Sequence, residues 1–269
     1  VDGPSQDRHN VSVTKGIVNH YGRPNMRRSH GEDGLVYIME KLGVIGGMGP
    51  EASSYFYSEV IRHTKAERDQ DHLDLVLISQ ASMPDRTEAI ETGDDAKLLE
   101  SMRVDLQALE AFGCAHVAIT CNTSHYFYDK IQAFTKVPII HMPREAVREA
   151  VEGRGAKRVG IMGTDGTVRT GIYSHECEAA GVEWVVPSPE RQADVMSIIY
   201  DDVKAGRPAD MHKFDRVMRE FIRLDCDAVV LACTELSVVK RDHEVPDLCI
   251  DAMDTLIRES IVRSGATYV

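Results

Sequence analysis

The chain has 269 residues, a length that predicts about two compact units with a substantial core. It carries 31 lysines and arginines against 43 aspartates and glutamates, a formal net charge of −12 at pH 7, and 43% of its residues are hydrophobic. This charge balance argues against a protein that binds the phosphate backbone of nucleic acids. No apolar run reaches the roughly 18 residues of a membrane-spanning helix, so we also expect no membrane insertion.

The first 38 residues are polar, rich in Gly, Arg, His and Asn, and show neither helical nor strand periodicity. We expect residues 1–38 to be a disordered or non-native leader, with Met39 as the natural start. The segment has no apolar stretch of the kind that a secretory signal requires. The six cysteines include no CxxC pair, which favours reduced thiols and a cytoplasmic location over a disulfide framework.

From residue 42 onwards, short β-branched runs alternate with longer amphipathic stretches. The clearest helical pattern runs from residue 95 to residue 112 and ends at Gly113. This alternation predicts an α/β fold with parallel sheets, in which ligands bind at the carboxyl ends of the strands. The predicted strands span 42–45, 74–79, 116–120, 138–141, 158–162, 183–186, 228–232 and 248–250.

Three short motifs recur in the same order about 110 residues later in the chain. LGVIG at 42–46 is followed by VGIMG at 159–163, and MPDR at 83–86 is followed by SPER at 188–191. VAITCNT at 117–123 is followed by VLACTE at 230–235. The repetition predicts two halves related by a pseudo-twofold axis. We assign residues 39–142 plus 247–269 to the first lobe and residues 143–246 to the second.

Cys121 and Cys233 occupy matching places in the repeat, each directly after a hydrophobic strand and at the predicted start of a helix. A helix N-terminus lowers the pKa of a thiol and makes it a better base. If the two halves pack face to face, both thiols border one cleft. One thiolate could then remove an α-proton while the other thiol protonates the opposite face, which inverts a tetrahedral carbon. The other cysteines are interpreted as small buried residues: Cys114, Cys177, Cys226 and Cys249.

Four motifs together resemble the cofactor-independent aspartate/glutamate racemase family: GVIGGMGP at 43–50, PDRT at 84–87, CNTSH at 121–125 and CTEL at 233–236. The resemblance covers residues 40–265. It implies two pseudo-symmetric flavodoxin-like lobes with the active site between them. It also implies racemisation of an amino-acid substrate by two cysteines, without pyridoxal phosphate or another cofactor, in a homodimer.

The resemblance also implies roles for the residues of the two cysteine motifs. Cys233 would act on the L-enantiomer and Cys121 on the D-enantiomer. Asn122, Thr123 and Thr234 would bind the α-carboxylate and the amino group. Donors at this place also stabilise the negative charge that develops as the α-carbanion forms.

Arg86 in the PDRT motif resembles the residue that pairs with the distal carboxylate of an acidic substrate. A planar guanidinium binds a carboxylate bidentately, which favours acidic over neutral amino acids. The alternative is a surface arginine paired with Asp85 or Glu88. Met48 resembles a residue that lines the pocket, and its alternative role is ordinary core packing.

One position departs from the family pattern. Some aspartate-specific relatives supply a second cation, a lysine, before a helix of the second half, and the corresponding run 191–194 has none. Arg191 or Arg169 could take its place. If neither does, we expect weaker selectivity for aspartate, and neutral or longer amino acids become plausible substrates.

Two other functions stay open at this point. His125 lies four residues after Cys121, which allows a cysteine-nucleophile hydrolase or isomerase of a small carboxylate, with His125 as the base. A two-lobed protein that binds a small acid without catalysis is the non-enzymatic alternative. The remaining histidines show no HxH or HExxH spacing, and residues 46–49 lack the features of a phosphate-binding loop. We therefore expect no metal site and no nucleotide.

Overall fold

Two parallel β-sheets with helices packed on them form the body of the protein in a computed structural model, which describes residues 28–31, 34–37 and 39–269. The strands are β1 (Arg28–Gly31), β2 (Gly34–Tyr37), β3 (Leu42–Gly46), β4 (Leu75–Ser79), β5 (His116–Ile119), β6 (Arg158–Met162), β7 (Glu183–Val185), β8 (Ala228–Leu231) and β9 (Cys249–Asp251). The α-helices are α1 (Pro50–His63), α2 (Arg86–Thr92), α3 (Ala96–Ala111), α4 (Tyr128–Gln132), α5 (Met142–Arg148), α6 (Asp165–Thr170), α7 (Ser174–Ala179), α8 (Pro189–Met196), α9 (Met211–Arg223), α10 (Thr234–Asp242) and α11 (Ala252–Arg263). Shorter helical segments are the 3₁₀ helices Asp69–Asp71 and Thr123–Phe127 and the π-helical segments Glu149–Gly153 and Ser197–Val203.

The two sheets have matching strand orders. The first runs β4-β3-β5 and the second β7-β6-β8-β9, with every neighbouring pair parallel. The LGVIG motif forms β3 and the VGIMG motif lies on β6, so the repeated motifs occupy equivalent central strands. This arrangement confirms the predicted α/β fold with two lobes. Among the described residues, no helix combines the length and the hydropathy needed to cross a lipid bilayer.

The buried side chains explain why the strands read as continuous apolar runs. Alternate residues of β8 face opposite sides: Ala228 and Val230 join a cluster that includes residues of both sheets, whereas Val229 and Leu231 pack under α9. A strand covered on both faces needs apolar side chains at every position. The shared cluster ties the lobes together through apolar contacts.

Most of the predicted elements are confirmed. Helix α3 begins after Asp95 and ends before Gly113, whose φ of +77° is the left-handed conformation that glycine adopts at little cost. The strand predicted at 138–141 is the exception. Ile139 makes only an isolated parallel bridge to Val117, because the chain turns into α5 directly afterwards.

The proposed boundaries of the lobes differ from the structure at two places. Strands β1 and β2 of the predicted leader pair as an antiparallel hairpin, and the other residues of 1–38 lie outside the described part of the chain. Strand β9 pairs with β8 in the second sheet, whereas α11 packs both on α1 of the first lobe and on α5 at the start of the second. Residues 247–269 are therefore shared between the lobes, since β9 forms the edge of the second sheet and α11 contacts helices of both lobes.

Candidate active site

Both predicted cysteines line one pocket at the carboxyl ends of strands from the two sheets. Cys121 lies just beyond β5 and Cys233 just beyond β8, as expected for a ligand site of parallel α/β sheets. The structure brings seven of the nine predicted site residues to this pocket: Met48, Arg86, Cys121, Asn122, Thr123, Cys233 and Thr234. Residues far apart in the chain thus surround one space between the lobes.

The pocket is narrow in this conformation. Its volume of about 20 Å³ accommodates roughly one water molecule, so an amino acid can enter only if the walls move apart. An open groove of about 560 Å³ lies beside it, and Tyr200 lines both spaces. The Tyr200 side chain, in the π-helical segment, therefore stands between the pocket and the groove.

Cys233 is buried beside a carboxylate. Its Sγ donates a hydrogen bond to Oε2 of Glu235 at 2.9 Å, and Lys204 Nζ lies 3.8 Å from Oε1 of the same side chain. Burial and the Glu235 carboxylate raise the pKa of Cys233 well above its usual value, although Lys204 acts in the opposite direction. Burial and the neighbouring carboxylate therefore both favour the protonated thiol.

The expected lowering of the thiol pKa is wrong for Cys233, even though its predicted position is right. Cys233 is the N-cap residue of α10, where the helix dipole stabilises a thiolate by about 0.3–1 kcal/mol. The desolvation of a fully buried charge and its repulsion by a carboxylate are larger effects. The segment that follows Cys121 is a short 3₁₀ helix, Thr123–Phe127, instead of the predicted α-helix.

Asn122 is held from behind by the second lobe. The buried Tyr173 hydroxyl donates a hydrogen bond to Oδ1 of Asn122, while Nδ2 of the amide is buried and has no hydrogen-bond partner among the described residues. This leaves an oriented N–H donor at the pocket. The Thr123 hydroxyl lies 3.4 Å from that of Thr167, so this loop contacts the second lobe at two points.

Arg86 is positioned by its own loop. Its Nη1 donates to the carbonyl oxygens of Pro84, at 3.0 Å, and Met83, at 3.4 Å, whereas Nε is buried without a partner among the described residues. Neither Asp85 nor Glu88 pairs with the guanidinium, because the Asp85 carboxylate instead accepts the backbone N–H of Glu88 and caps α2. The guanidinium is thus available to a ligand.

The second cation of the pocket is Lys204, which the sequence pattern did not identify. It directly follows the π-helical segment, and its Nζ lies 4.3 Å from the centre of the Tyr200 ring. Burial alone would lower the pKa of Lys204, but the neighbouring acidic groups, Glu235 foremost, outweigh this effect and raise it. Lys204 is therefore charged beside the thiol. A single lysine within YDDVKAGR carries no local signal of this role, because only the fold brings it to the pocket.

The two arginines predicted as substitutes for that cation lie outside the pocket lining. Arg169 pairs with Glu91 on the first lobe, and Arg191 pairs with Glu190 and, at 2.7 Å, with Asp194. The prediction of a ligand role is not supported for either residue, because their charges are already matched by neighbouring carboxylates.

The geometry does not favour His125 as a base for Cys121. The ring is buried, its Nδ1 lies 2.9 Å from the Cys121 carbonyl oxygen, and its Nε2 accepts the backbone N–H of Met142 at 3.2 Å. With Nε2 as the acceptor, Nδ1 carries the proton and donates it to the carbonyl. Both nitrogens are thus bonded to the backbone, and burial lowers the pKa of the imidazole.

The glycine-rich loop after β3 serves packing. A side chain at Gly47 would place its Cβ 2.4 Å from the backbone of Gln80, and the Gly47 N–H donates to the Ser53 hydroxyl at 2.8 Å. The loop passes Met48 into the pocket, where Sδ accepts a hydrogen bond from Ser124 at 3.5 Å. Within the described residues, no three His, Cys, Asp or Glu side chains come together as a metal site.

The cysteines outside the pocket are mostly buried. Cys114, Cys177 and Cys249 are buried as predicted, whereas Cys226 is half-buried just before β8. Burial raises the pKa of both Cys177 and Cys249 to about 12. These thiols are therefore poor bases near neutral pH.

Comparisons with known proteins agree with this geometry. Residues 45–260 match the family model described as Asp/Glu/Hydantoin racemase. Over 231 residues the chain is 26% identical to a broad specificity amino-acid racemase of Bacillus subtilis strain 168, covering 84% of this chain and 99% of that protein. The solved structure of Picrophilus torridus aspartate racemase is 28% identical with a TM-score of 0.72, covering 86% of this chain and 96% of that one. The solved structure of an aspartate racemase homologue from Pyrococcus horikoshii OT3 is 25% identical with a TM-score of 0.68. The match covers 84% of this chain and 99% of that one.

Proposed function

Since the chain belongs to the Asp/Glu/hydantoin racemase family, we propose that it interconverts L- and D-aspartate, or the enantiomers of glutamate, by proton transfer between two cysteines and Cα. Membership of the family makes the protein an isomerase of the amino-acid racemase type. One observation carries the proposal: Cys121 and Cys233, from opposite lobes, line the same pocket. Chemistry on two faces of one carbon needs such a pair.

The pocket residues have distinct parts in this mechanism. One cysteine, as the thiolate, accepts the α-proton, and the thiol of the other protonates the opposite face of the carbanion. As in the family, Cys233 acts on the L-enantiomer and Cys121 on the D-enantiomer. The Asn122 amide, with Thr123 and Thr234, binds the α-carboxylate and the amino group. The Asn122 amide is already oriented by Tyr173, so it stabilises the growing charge at Cα without costly reorganisation.

The two cations of the pocket support an acidic substrate. Arg86 and Lys204 come from different lobes and can hold a distal carboxylate between them. Charge-assisted hydrogen bonds of this kind contribute about 1.5–3 kcal/mol each, which is lost with a neutral side chain. The relative from Bacillus subtilis is named a broad specificity racemase, so neutral amino acids belong in the substrate panel.

We also propose a homodimer without pyridoxal phosphate in the cytoplasm, on the strength of the family resemblance and the cysteine pattern. The hydrolase alternative has less support, because His125 bonds the backbone instead of the Cys121 thiol. A binding protein would not need a thiol on each side of the pocket.

Exchange of the α-proton with D₂O tests the proposed function. Incubation of L-aspartate with the protein in D₂O should give α-deuterated D-aspartate, measured by chiral chromatography and mass spectrometry. Cys121→Ala and Cys233→Ala should each lower the rate by about 10²- to 10⁴-fold, since each removes an acid/base group. Cys114→Ala is the matched control, because this buried cysteine lies outside the pocket lining, and it should keep its activity. Full activity in either pocket variant would contradict the two-base mechanism.

A further inference from the structure

Glu235 is a buried carboxylate at the reaction centre with no part in the two-base scheme. It is 7% exposed, lines the pocket, and accepts the Cys233 S–H at 2.9 Å and the Thr234 hydroxyl at 3.3 Å on the same oxygen, Oε2. Its other oxygen, Oε1, lies 3.8 Å from Lys204 Nζ. The desolvation cost of a buried carboxylate must be offset by hydrogen-bond donors and a cation. For Glu235 these are the Cys233 thiol, the Thr234 hydroxyl and Lys204, which all line the pocket.

The titratable side chains around Cys233 come from several elements. Lys204 and Tyr200 approach from the π-helical segment and the residue after it, Tyr173 from the start of α7, and Cys121 from the first lobe. Glu235, on α10, is the carboxylate that touches the thiol. In the described residues, no comparable acceptor bonds the Cys121 thiol, so the two sulfurs have different electrostatic surroundings although their motifs match.

We propose that Glu235 holds the proton on Cys233 in the resting protein, so that Cys121 is the sulfur left to act as the first base. The inference rests on the proposed racemase function for its catalytic consequence. With Cys233 protonated, the free protein is ready for the enantiomer whose Cα–H faces Cys121. The two cysteines of the matched motifs would therefore differ in protonation before the substrate binds.

The proton balance of one turnover is simple. The Cα–H bond breaks and its proton forms an S–H bond at Cys121, while the S–H bond of Cys233 breaks and its proton forms the new Cα–H bond. Cys233 is then a thiolate beside the Glu235 carboxylate, and Lys204 offsets the repulsion. Exchange with solvent protons, losing one at Cys121 and gaining one at Cys233, restores the resting form, so no net charge or co-reactant is needed.

Alkylation by iodoacetamide measures the thiolate fraction of each cysteine without any turnover. The rate is followed against pH in the full-length protein, and peptide mass spectrometry separates Cys121 from Cys233. In the wild type, Cys121 should react much faster than Cys233 at pH 8. Glu235→Gln removes the negative charge and should raise the alkylation rate of Cys233 at least about tenfold. The reason is that a negative charge in contact with a thiol raises the pKa of the thiol by about one or more. Glu190→Gln, outside the pocket lining, is the matched control and should leave both rates unchanged.

A second variant separates electrostatics from a loosened pocket. Lys204→Met leaves the thiolate without its neighbouring cation and should lower the Cys233 rate, whereas a loosened pocket would raise it in both variants. The inference is overturned if Glu235→Gln keeps the native circular dichroism spectrum and the wild-type Cys233 rate, or if Lys204→Met raises that rate. If Glu235→Gln fails to fold, the sign of the Lys204→Met effect decides alone. Failure of the D₂O experiment with a Glu235-dependent Cys233 rate would reject racemisation but keep the role of Glu235.

Discussion

The hydrogen bond between Tyr173 and Asn122 connects the two lobes behind the pocket, so its loss should affect both stability and substrate binding. Tyr173 is 1% exposed, and its hydroxyl is the donor to Oδ1 of Asn122. Tyr173→Phe leaves that oxygen buried without a donor, which costs about 1–3 kcal/mol. For a chain of this size each kcal/mol lowers Tm by about 2–4 °C, so a decrease of roughly 2–12 °C is expected.

The same change should raise the KM of the substrate. Without Tyr173 to orient it, the Asn122 amide can turn away from the α-carboxylate, and a loss of about 1.4 kcal/mol corresponds to tenfold in kcat/KM. Thermal unfolding by circular dichroism and initial rates by chiral chromatography measure the two effects. Tyr126→Phe is the matched control, because this tyrosine is 48% exposed and lies outside the pocket lining, and it should shift stability by less than about 0.5 kcal/mol. Equal Tm and KM for both variants would refute the reasoning.

Two further predictions concern substrate selectivity and acid stability. Arg86→Ala should lower kcat/KM for aspartate roughly 10- to 100-fold and that for alanine much less, whereas Arg169→Ala, paired outside the pocket lining, should change neither. An equal loss of kcat/KM for aspartate and for alanine would contradict the proposed binding of the distal carboxylate. Burial lowers the pKa of His116 to about 4, so unfolding takes up a proton between about pH 6.5 and pH 4, and the free energy of unfolding falls as pH falls through this window. His116→Gln should flatten that fall in urea titrations at successive pH values, and an unchanged pH slope would contradict it.

Much of the fold could be predicted from the sequence because it rests on local patterns. Continuous apolar runs identify strands covered on both faces, and they correctly located the strands β3 and β6. The helical spacing over residues 95–112 and the stop at Gly113 predicted α3 nearly to the residue. The strand predicted at 138–141 forms only an isolated bridge. Apolar character alone does not show whether the chain continues beside a neighbouring strand or turns into a helix.

The site was predictable to the extent that it lies at strand ends. Parallel strands bring their carboxyl ends to one edge, so Cys121 and Cys233 could be paired from their matching places in the repeat. Lys204 could not be found in this way, since it follows a π-helical segment and reaches the pocket only through the packing of that segment against α10. The pairing of Arg169 could not be predicted either, because its partner Glu91 lies far away in the chain, whereas the partners of Arg191 are its sequence neighbours Glu190 and Asp194.

The amino-acid sequence by itself determined the alternating architecture, the internal duplication and the two sulfur atoms of the pocket, since each depends on the order and spacing of residues along the chain. Tertiary structure decided which charges surround those sulfur atoms. Desolvation and the contact with Glu235 raise the pKa of Cys233 at a helix N-terminus that would otherwise lower it. Burial and through-space contacts are properties of the folded packing, so no local pattern could show them.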